Sequence, residues 1–265
     1  MHLGHAYAAL FAWDAAREAG GRFLLRIEDI DAGRCRPEFE DAIYEDLAWL
    51  GLEWDETPRR QSDHMADYGA AIRVLEGLSV VYPCFCTRGE IRAEIERAGV
   101  APHGPDGVVY PGICRLLSVD ERESRIARGN AFALRLDMAK AVGRAGALEW
   151  RDLKAGRQVA DPLAAGDVVI ARKDTPTSYH LAVTVDDHLQ GVTLVTRGDD
   201  LFHATHVHRL LQALADLDVP AWRHHALITD SAGQRLAKRN RATTLRSLRR
   251  AGTSPADVRA MVGLD

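Results

Sequence analysis

Apolar residues at Ala8, Leu10, Phe11, Ala12 and Ala15 fall at helical spacing, which predicts a helix over residues 5–19 that Gly20 and Gly21 stop. The run RFLLRI (22–27) then reads as a buried strand. Pro37 opens a second helix with Phe39, Ile43, Leu47 and Leu50 on one face, and Gly51 ends it. A third helix is expected over residues 63–78. Residues 99–118 are rich in Gly and Pro and give way to short strands such as AFALRLD (131–137) and DVVIARKD (167–174). Then SYHLAVTVDDHLQG (178–191), VTLVTRG (192–198) and DDLFHATHVHRLLQALADL (199–217) restore a helix, strand, helix order. ALIT (226–229) reads as an apolar strand, and TTLRSLRRAG and SPADVRAMVGL as two short helices. Strands alternating with helices favour an α/β fold with a parallel sheet covered on both faces. Residues 1–82 and 167–265 read as two halves of one core, with residues 83–166 inserted between them.

Composition narrows this picture only a little. With 265 residues, 46% of them hydrophobic, the chain can bury a sizeable core. No run approaches the roughly 18 apolar residues of a membrane span, and no charged-then-apolar leader is present, so a cytoplasmic protein is expected. The formal charge of −4 argues against indiscriminate nucleic-acid binding. Locally the balance reverses: Arg235, Lys238, Arg239, Arg241, Arg246, Arg249 and Arg250 have no acid among them, and such a field attracts phosphates.

The candidate chemistry begins at His2-Leu3-Gly4-His5. Two imidazoles around a glycine at a helix start can both face an anion held by the free N–H groups and the positive dipole end. Gly4 leaves room for a nucleotide to approach the backbone. Far along the chain, GQRLAKRN places Lys238 on a loop where its charge could stabilise a triphosphate under attack at the α-phosphorus. Each motif alone has a plain alternative: chance histidines at a cap, and an ordinary basic loop.

Together with RIEDIDAGR and VDDHLQGVTLVTRGDDL, in this order and spacing, these motifs give the chain its family likeness. It resembles the class I glutamyl-tRNA synthetases, and most of all their short branch, the glutamyl-queuosine tRNA(Asp) synthetases. The resemblance implies a Rossmann-type catalytic core with no anticodon-binding domain, and an ATP-dependent ligase that forms glutamyl-adenylate. It implies that His2 and His5 match the family's HIGH signature, with Gly4 beside ATP, and that residues 235–239 match its KMSKS loop. There Ala237 and Arg239 replace serines, so a hydroxyl contact to ATP is lost while Lys238 is kept. Glu28 matches the acid that clamps the substrate ammonium, its alternative being an ion pair with Arg26 or Arg34. Tyr179 and Arg197 match positions that contact glutamate, and arginine supplies the bidentate fork a carboxylate needs.

The family also carries a strand and a Ser-Pro-Thr-Gly-like loop with an arginine ahead of the HIGH motif, and the sequence departs from it there. The expectation is that in-frame codons upstream of Met1 encode such a strand, because a sheet without it leaves backbone groups unpaired. Reading the genomic DNA tests this, and an in-frame stop just before Met1 would refute it.

Cys84, Cys86 and Cys114 cluster in the inserted segment, while Cys35 lies apart. Three thiolates suit a zinc ion with one further ligand, the alternative being three buried unbound cysteines. The resemblance implies Tyr110 as the fourth ligand; His103 is the chemical rival. One structural zinc per chain is expected, along with ATP and magnesium, glutamate, queuosine-bearing tRNA(Asp) as partners, no membrane, and a monomeric chain. The last 27 residues after Lys238 (265 − 238) leave space for two short helices, and the resemblance to the short branch implies that the catalytic core itself receives the anticodon loop. Two other classes remain open at this point: a non-catalytic RNA-binding relic, and a small-molecule ligase with the same nucleotide corner.

Overall fold

The computed structural model describes residues 1–31, 33, 35–98, 103–104, 107–228 and 243–264. In chain order it forms α1 (Leu3–Glu18), β1 (Arg26–Ile27), α2 (Pro37–Trp49), β2 (Arg59–Arg60), α3 (Met65–Gly77), β3 (Val81–Cys84) and α4 (Arg88–Ala98). Then come β4 (His103–Gly104), β5 (Gly107–Val108), α5 (Val119–Ala127), β6 (Ala133–Leu136), α6 (Met138–Ala145), β7 (Glu149–Asp152) and β8 (Gly156–Val159). The chain continues through β9 (Val169–Ala171), α7 (Tyr179–Leu189), β10 (Leu194–Gly198), α8 (Ala204–Ala215), β11 (Ala221–His225), α9 (Leu245–Arg250) and α10 (Pro255–Met261). Among the described residues no helix is long and apolar enough to cross a membrane.

The chain divides into two compact units. The first comprises residues 1–63, 195–200 and 223–265. Its core gathers Ala6 and Leu10 of α1, Leu47, Leu50 and Leu52 from α2 and its exit, and Leu245, Val258 and Val262 from the last two helices. Local chemistry sets the limits of these helices. In α2, Pro37 sits in the first turn, Glu38 and Glu40 meet the positive end of the dipole, and Gly51 (φ +78°) takes the left-handed turn beyond Leu50. Ser254 and Asp257 cap α10 reciprocally. β1 and β2 run parallel, Arg26 opposite Arg59 and Ile27 opposite Arg60.

The second unit comprises residues 64–194 and 201–222. Its antiparallel sheet has the order β3-β6-β9, with Val81 opposite Leu136 and Cys84 opposite Ala133. β7 and β8 form a hairpin, and Trp222 lies opposite Asp152 in a parallel pairing. Behind the helices, the hydroxyl of fully buried Tyr68 donates to Asp186 at 2.9 Å.

Two expected strands fall differently. Of RFLLRI only Arg26 and Ile27 join a ladder, because the backbone at Phe23 bonds instead to Asp55: its N–H to the carboxylate at 2.7 Å and its carbonyl to the Asp55 N–H at 3.0 Å. The strand expected at ALIT lies earlier instead: β11 is AWRHH, and residues 226–228 after it are not in a strand; Trp222, His224 and His225 are buried, and the histidines broke the apolar pattern that marks a buried strand.

Candidate active site and cysteine cluster

His2 is the N-cap of α1, in extended conformation, and its Nδ1 accepts from the Gly4 N–H at 3.1 Å. His5 returns the favour from the third helical position, its Nδ1 accepting from the His2 N–H at 3.3 Å. This is a capping box built from two imidazoles, stacked with ring centroids 3.7 Å apart. An Nδ1 that accepts carries no proton, so each neutral ring holds its proton at Nε2. The first turn of α1 contains no acidic residue, which leaves its positive end for an anion. A Cβ at position 4 would lie 3.1 Å from Cε1 of His2, so the space Gly4 provides is shared with the capping ring. The corner is anchored to the C-terminal helices: the Met1 carbonyl accepts from Leu245 N–H at 2.9 Å, and His2 forms a bridge with Thr244, the cap of α9.

Glu28 follows β1 and is exposed, with Oε1 3.6 Å from Nε of Arg26. Its neighbour Asp29 turns inward and accepts from the Ser62 N–H at 2.8 Å and hydroxyl at 2.6 Å. Arg197 on β10 is 9% exposed, and its Nε donates to Nε2 of buried His224 on β11 at 3.2 Å. Immediately after it, a Cβ on Gly198 would stand 2.5 Å from Asp200 Oδ1 and 2.6 Å from Leu227 Cδ2, so only glycine fits there without displacement. Glu28, Arg197 and the two capping histidines all belong to the first unit. Tyr179 opens α7 in the second unit, its ring against those of His180 and His208, whose Nδ1 and Nε2 are 3.1 Å apart. Lys238 and the whole of residues 235–239, like Arg34, lie outside the described residues, as does the side chain of His103.

The three cysteines of the second unit come together: their sulfurs lie within 4.8 Å of one another. The Tyr110 hydroxyl sits 3.4 Å from the Cys84 sulfur and 3.6 Å from that of Cys86, and it accepts from Cys114 N–H at 2.9 Å. A tetrahedral ion with sulfur at about 2.3 Å and oxygen at about 2.0 Å requires S···O separations of about 3.5 Å and S···S of about 3.8 Å. The observed S···O values match, and the 3.3 Å between Cys86 and Cys114 needs an opening of half an ångström. Burial pushes the Cys86 thiol up to about 12. On Cys114 burial acts the same way but is outweighed by hydrogen bonds from Tyr110 and from the Phe85 and Cys86 N–H groups, so that thiol falls below its ordinary value. Three thiolates coexist in such a place only beside a cation.

Sequence reading missed what surrounds this cluster. Arg135 lays its guanidinium 3.9 Å over the Tyr110 ring and donates to the Asp167 carbonyl at 2.6 Å. The buried Asp167 carboxylate collects the Tyr82 hydroxyl at 2.5 Å, Arg115 at 2.8 Å and the Met138 N–H at 3.0 Å. These partners stand 85, 52 and 29 residues from it in sequence, with no motif to announce them.

A family model described as "tRNA synthetases class I (E and Q), catalytic domain" matches residues 1–264. The chain is 48% identical to a Glutamyl-Q tRNA(Asp) synthetase of Rhodobacter capsulatus, the alignment covering 100% of this chain and 96% of that one. A protein of the same name from Symbiobacterium thermophilum is 43% identical over 97% of this chain and 80% of its own length. Among solved structures, the glutamate-tRNA synthetase of Elizabethkingia anophelis superposes with a TM-score of 0.76 at 29% identity, covering 91% of this chain and 50% of that one. The chain thus spans about half the length of that structure. The matching fold, the helix-capping histidine pair and the full-length similarity agree: the chain belongs to the class I tRNA synthetases of the E and Q type, to their catalytic domain.

Proposed function

We propose that the protein activates glutamate with ATP and transfers it to queuosine in the anticodon loop of tRNA(Asp). The observation that carries the activation step is the capping pair, His2 and His5 joined reciprocally through Nδ1 at a helix start whose first turn holds no acidic residue. Phosphate oxygens of ATP, accompanied by magnesium, bind there beside Gly4. Glu28 and Arg197, both of the first unit, hold the substrate ammonium and side-chain carboxylate, and Tyr179 is a further glutamate contact implied by the family likeness. An α-carboxylate oxygen then attacks the α-phosphorus, the bond to the β-phosphate bridge breaks, and pyrophosphate leaves. Lys238 offsets the charge that builds on the phosphates. In the second step a hydroxyl of the queuosine cyclopentene diol attacks the acyl carbon, an ester forms, and AMP departs with the bonding pair.

The choice of acceptor is supported by the Glutamyl-Q tRNA(Asp) synthetases that share 40–48% identity with the chain. A zinc ion held by Cys84, Cys86, Cys114 and Tyr110 would organise the segment 83–166 between the core segments 1–82 and 167–265, with no part in the chemistry. The enzyme acts as a cytoplasmic monomer in this reading.

The test offers radiolabelled glutamate and ATP to queuosine-containing tRNA(Asp) stripped of its terminal adenosine, and to intact tRNA from cells unable to make queuosine. Label is expected on the first and not on the second. The reverse pattern would return the protein to the synthetases that charge the 3′ end.

A further inference from the structure

Arg197 is a guanidinium in a nearly closed setting, and the group that meets its Nε is an imidazole from the neighbouring strand. His224 is 2% exposed and lies 27 residues further along the chain. An interior position on a strand is where an apolar side chain gives the most stability, so a histidine there calls for a reason. The plain reading is a core histidine that merely satisfies a buried donor. The geometry says more. A guanidinium offers a carboxylate two forks, one side-on through Nε and one Nη, the other end-on through both Nη atoms. With Nε engaged by His224, a bidentate carboxylate must meet Arg197 end-on. The backbone adds to this: Gly198 packs so closely against Asp200 and Leu227 that this end of β10 has no slack, and the side-chain contact decides where the guanidinium points.

We infer that His224 is a positioning residue for amino-acid recognition, holding Arg197 end-on toward the side-chain carboxylate of the substrate through an uncharged acceptor. To accept from Nε, the His224 Nε2 must carry no proton, so the ring is neutral with its proton on Nδ1. An aspartate or glutamate in its place would aim the guanidinium as well but would offset its charge. An imidazole aims it and adds no negative charge of its own. That difference bears on acid against amide: a glutamate side chain profits from a cation whose Nε partner is uncharged, and a glutamine side chain much less. The inference rests on the proposal that Arg197 contacts glutamate.

Pyrophosphate exchange into ATP, with glutamate and ATP varied separately, tests it on the full-length protein. His224→Leu removes the acceptor, and KM for glutamate is expected to rise about tenfold or more while KM for ATP stays within about twofold. His224→Gln keeps an uncharged acceptor and is expected to recover most of the loss. His224→Glu is expected to melt no lower than the glutamine variant, yet to bind glutamate worse than it and to lose selectivity over glutamine. A glutamate KM that does not move in His224→Leu, or moves equally in all three variants, overturns the inference. So does a parallel rise in both KM values that tracks thermal stability. If His224→Leu does not fold, the comparison of the glutamine and glutamate variants decides alone. Arg197→Ala separates the two levels: an unchanged glutamate KM there refutes the contact itself, whereas a large rise there with none in the His224 variants refutes only the positioning role.

Discussion

The unaltered protein is expected to purify with about one zinc ion per chain, and Cys86→Ser without it, as a closed four-ligand site requires. The basis is metric: three sulfurs and the Tyr110 oxygen already stand close to the separations a tetrahedral ion imposes. Serine offers a harder, more basic oxygen on a shorter bond and does not replace a thiolate for this metal. Around the cluster, Tyr82, Cys84, Phe85, Tyr110 and Cys114 form a small core of their own, with Ile91, Ile113, Leu117 and Phe132 packed against it. Binding energy for a structural zinc is folding energy, so the variant and a chelator-treated sample should both lose protection from proteolysis between residues 84 and 114. Elemental analysis beside limited proteolysis checks both halves. Equal metal content in the two proteins would refute the site.

Asp167→Ala is expected to cost about 3–5 kcal/mol, the usual penalty for removing one partner of a buried ionic network. The carboxylate is 3% exposed and accepts from a phenol and a backbone N–H that are buried with it, and from the guanidinium of Arg115, which keeps a side open to solvent. Burial first, and then the hydrogen bond to Asp167, hold the Tyr82 hydroxyl protonated well above its ordinary range, which makes it a permanent donor here. Asp167→Asn keeps the shape but brings its own N–H donors among existing donors, so it should recover only part of the loss. Denaturant melts of the three proteins provide the measurement; an alanine variant within about 1 kcal/mol of the parent would show that the network relaxes or hydrates.

The helices were the legible part of this fold. Pro37 and Gly51 bracket α2, and the apolar spacings of SYHLAVTVDDHLQG and DDLFHATHVHRLLQALADL became α7 and α8 within a few residues. Local signals fix these elements, so a single chain displays them. The cysteine spacing likewise led to a cluster that exists, and the cap at His2 to a helix that starts there. What stayed hidden depends on residues distant in sequence. RFLLRI looks like a strand until Asp55 takes its backbone bonds at Phe23. β11 hides because two of its buried positions are histidines, and one of them is the partner of Arg197. Asp167 carries no pattern at all, being one acid among many until Tyr82, Arg115 and Met138 close around it.

The imidazole cap on α1 is also a compromise between durability and work. Aspartate is among the strongest N-cap residues and would in addition place a negative charge on the positive end of the helix, where histidine brings a bulkier and weaker acceptor. His2→Asp should therefore leave the fold at least as stable as it is, and could add up to about 1 kcal/mol. The same carboxylate would occupy the ground an incoming phosphate needs and repel it. The protein keeps a helix start that is less firmly tied than it could be, and the looser knot is the one that leaves room for the phosphate proposed to bind there.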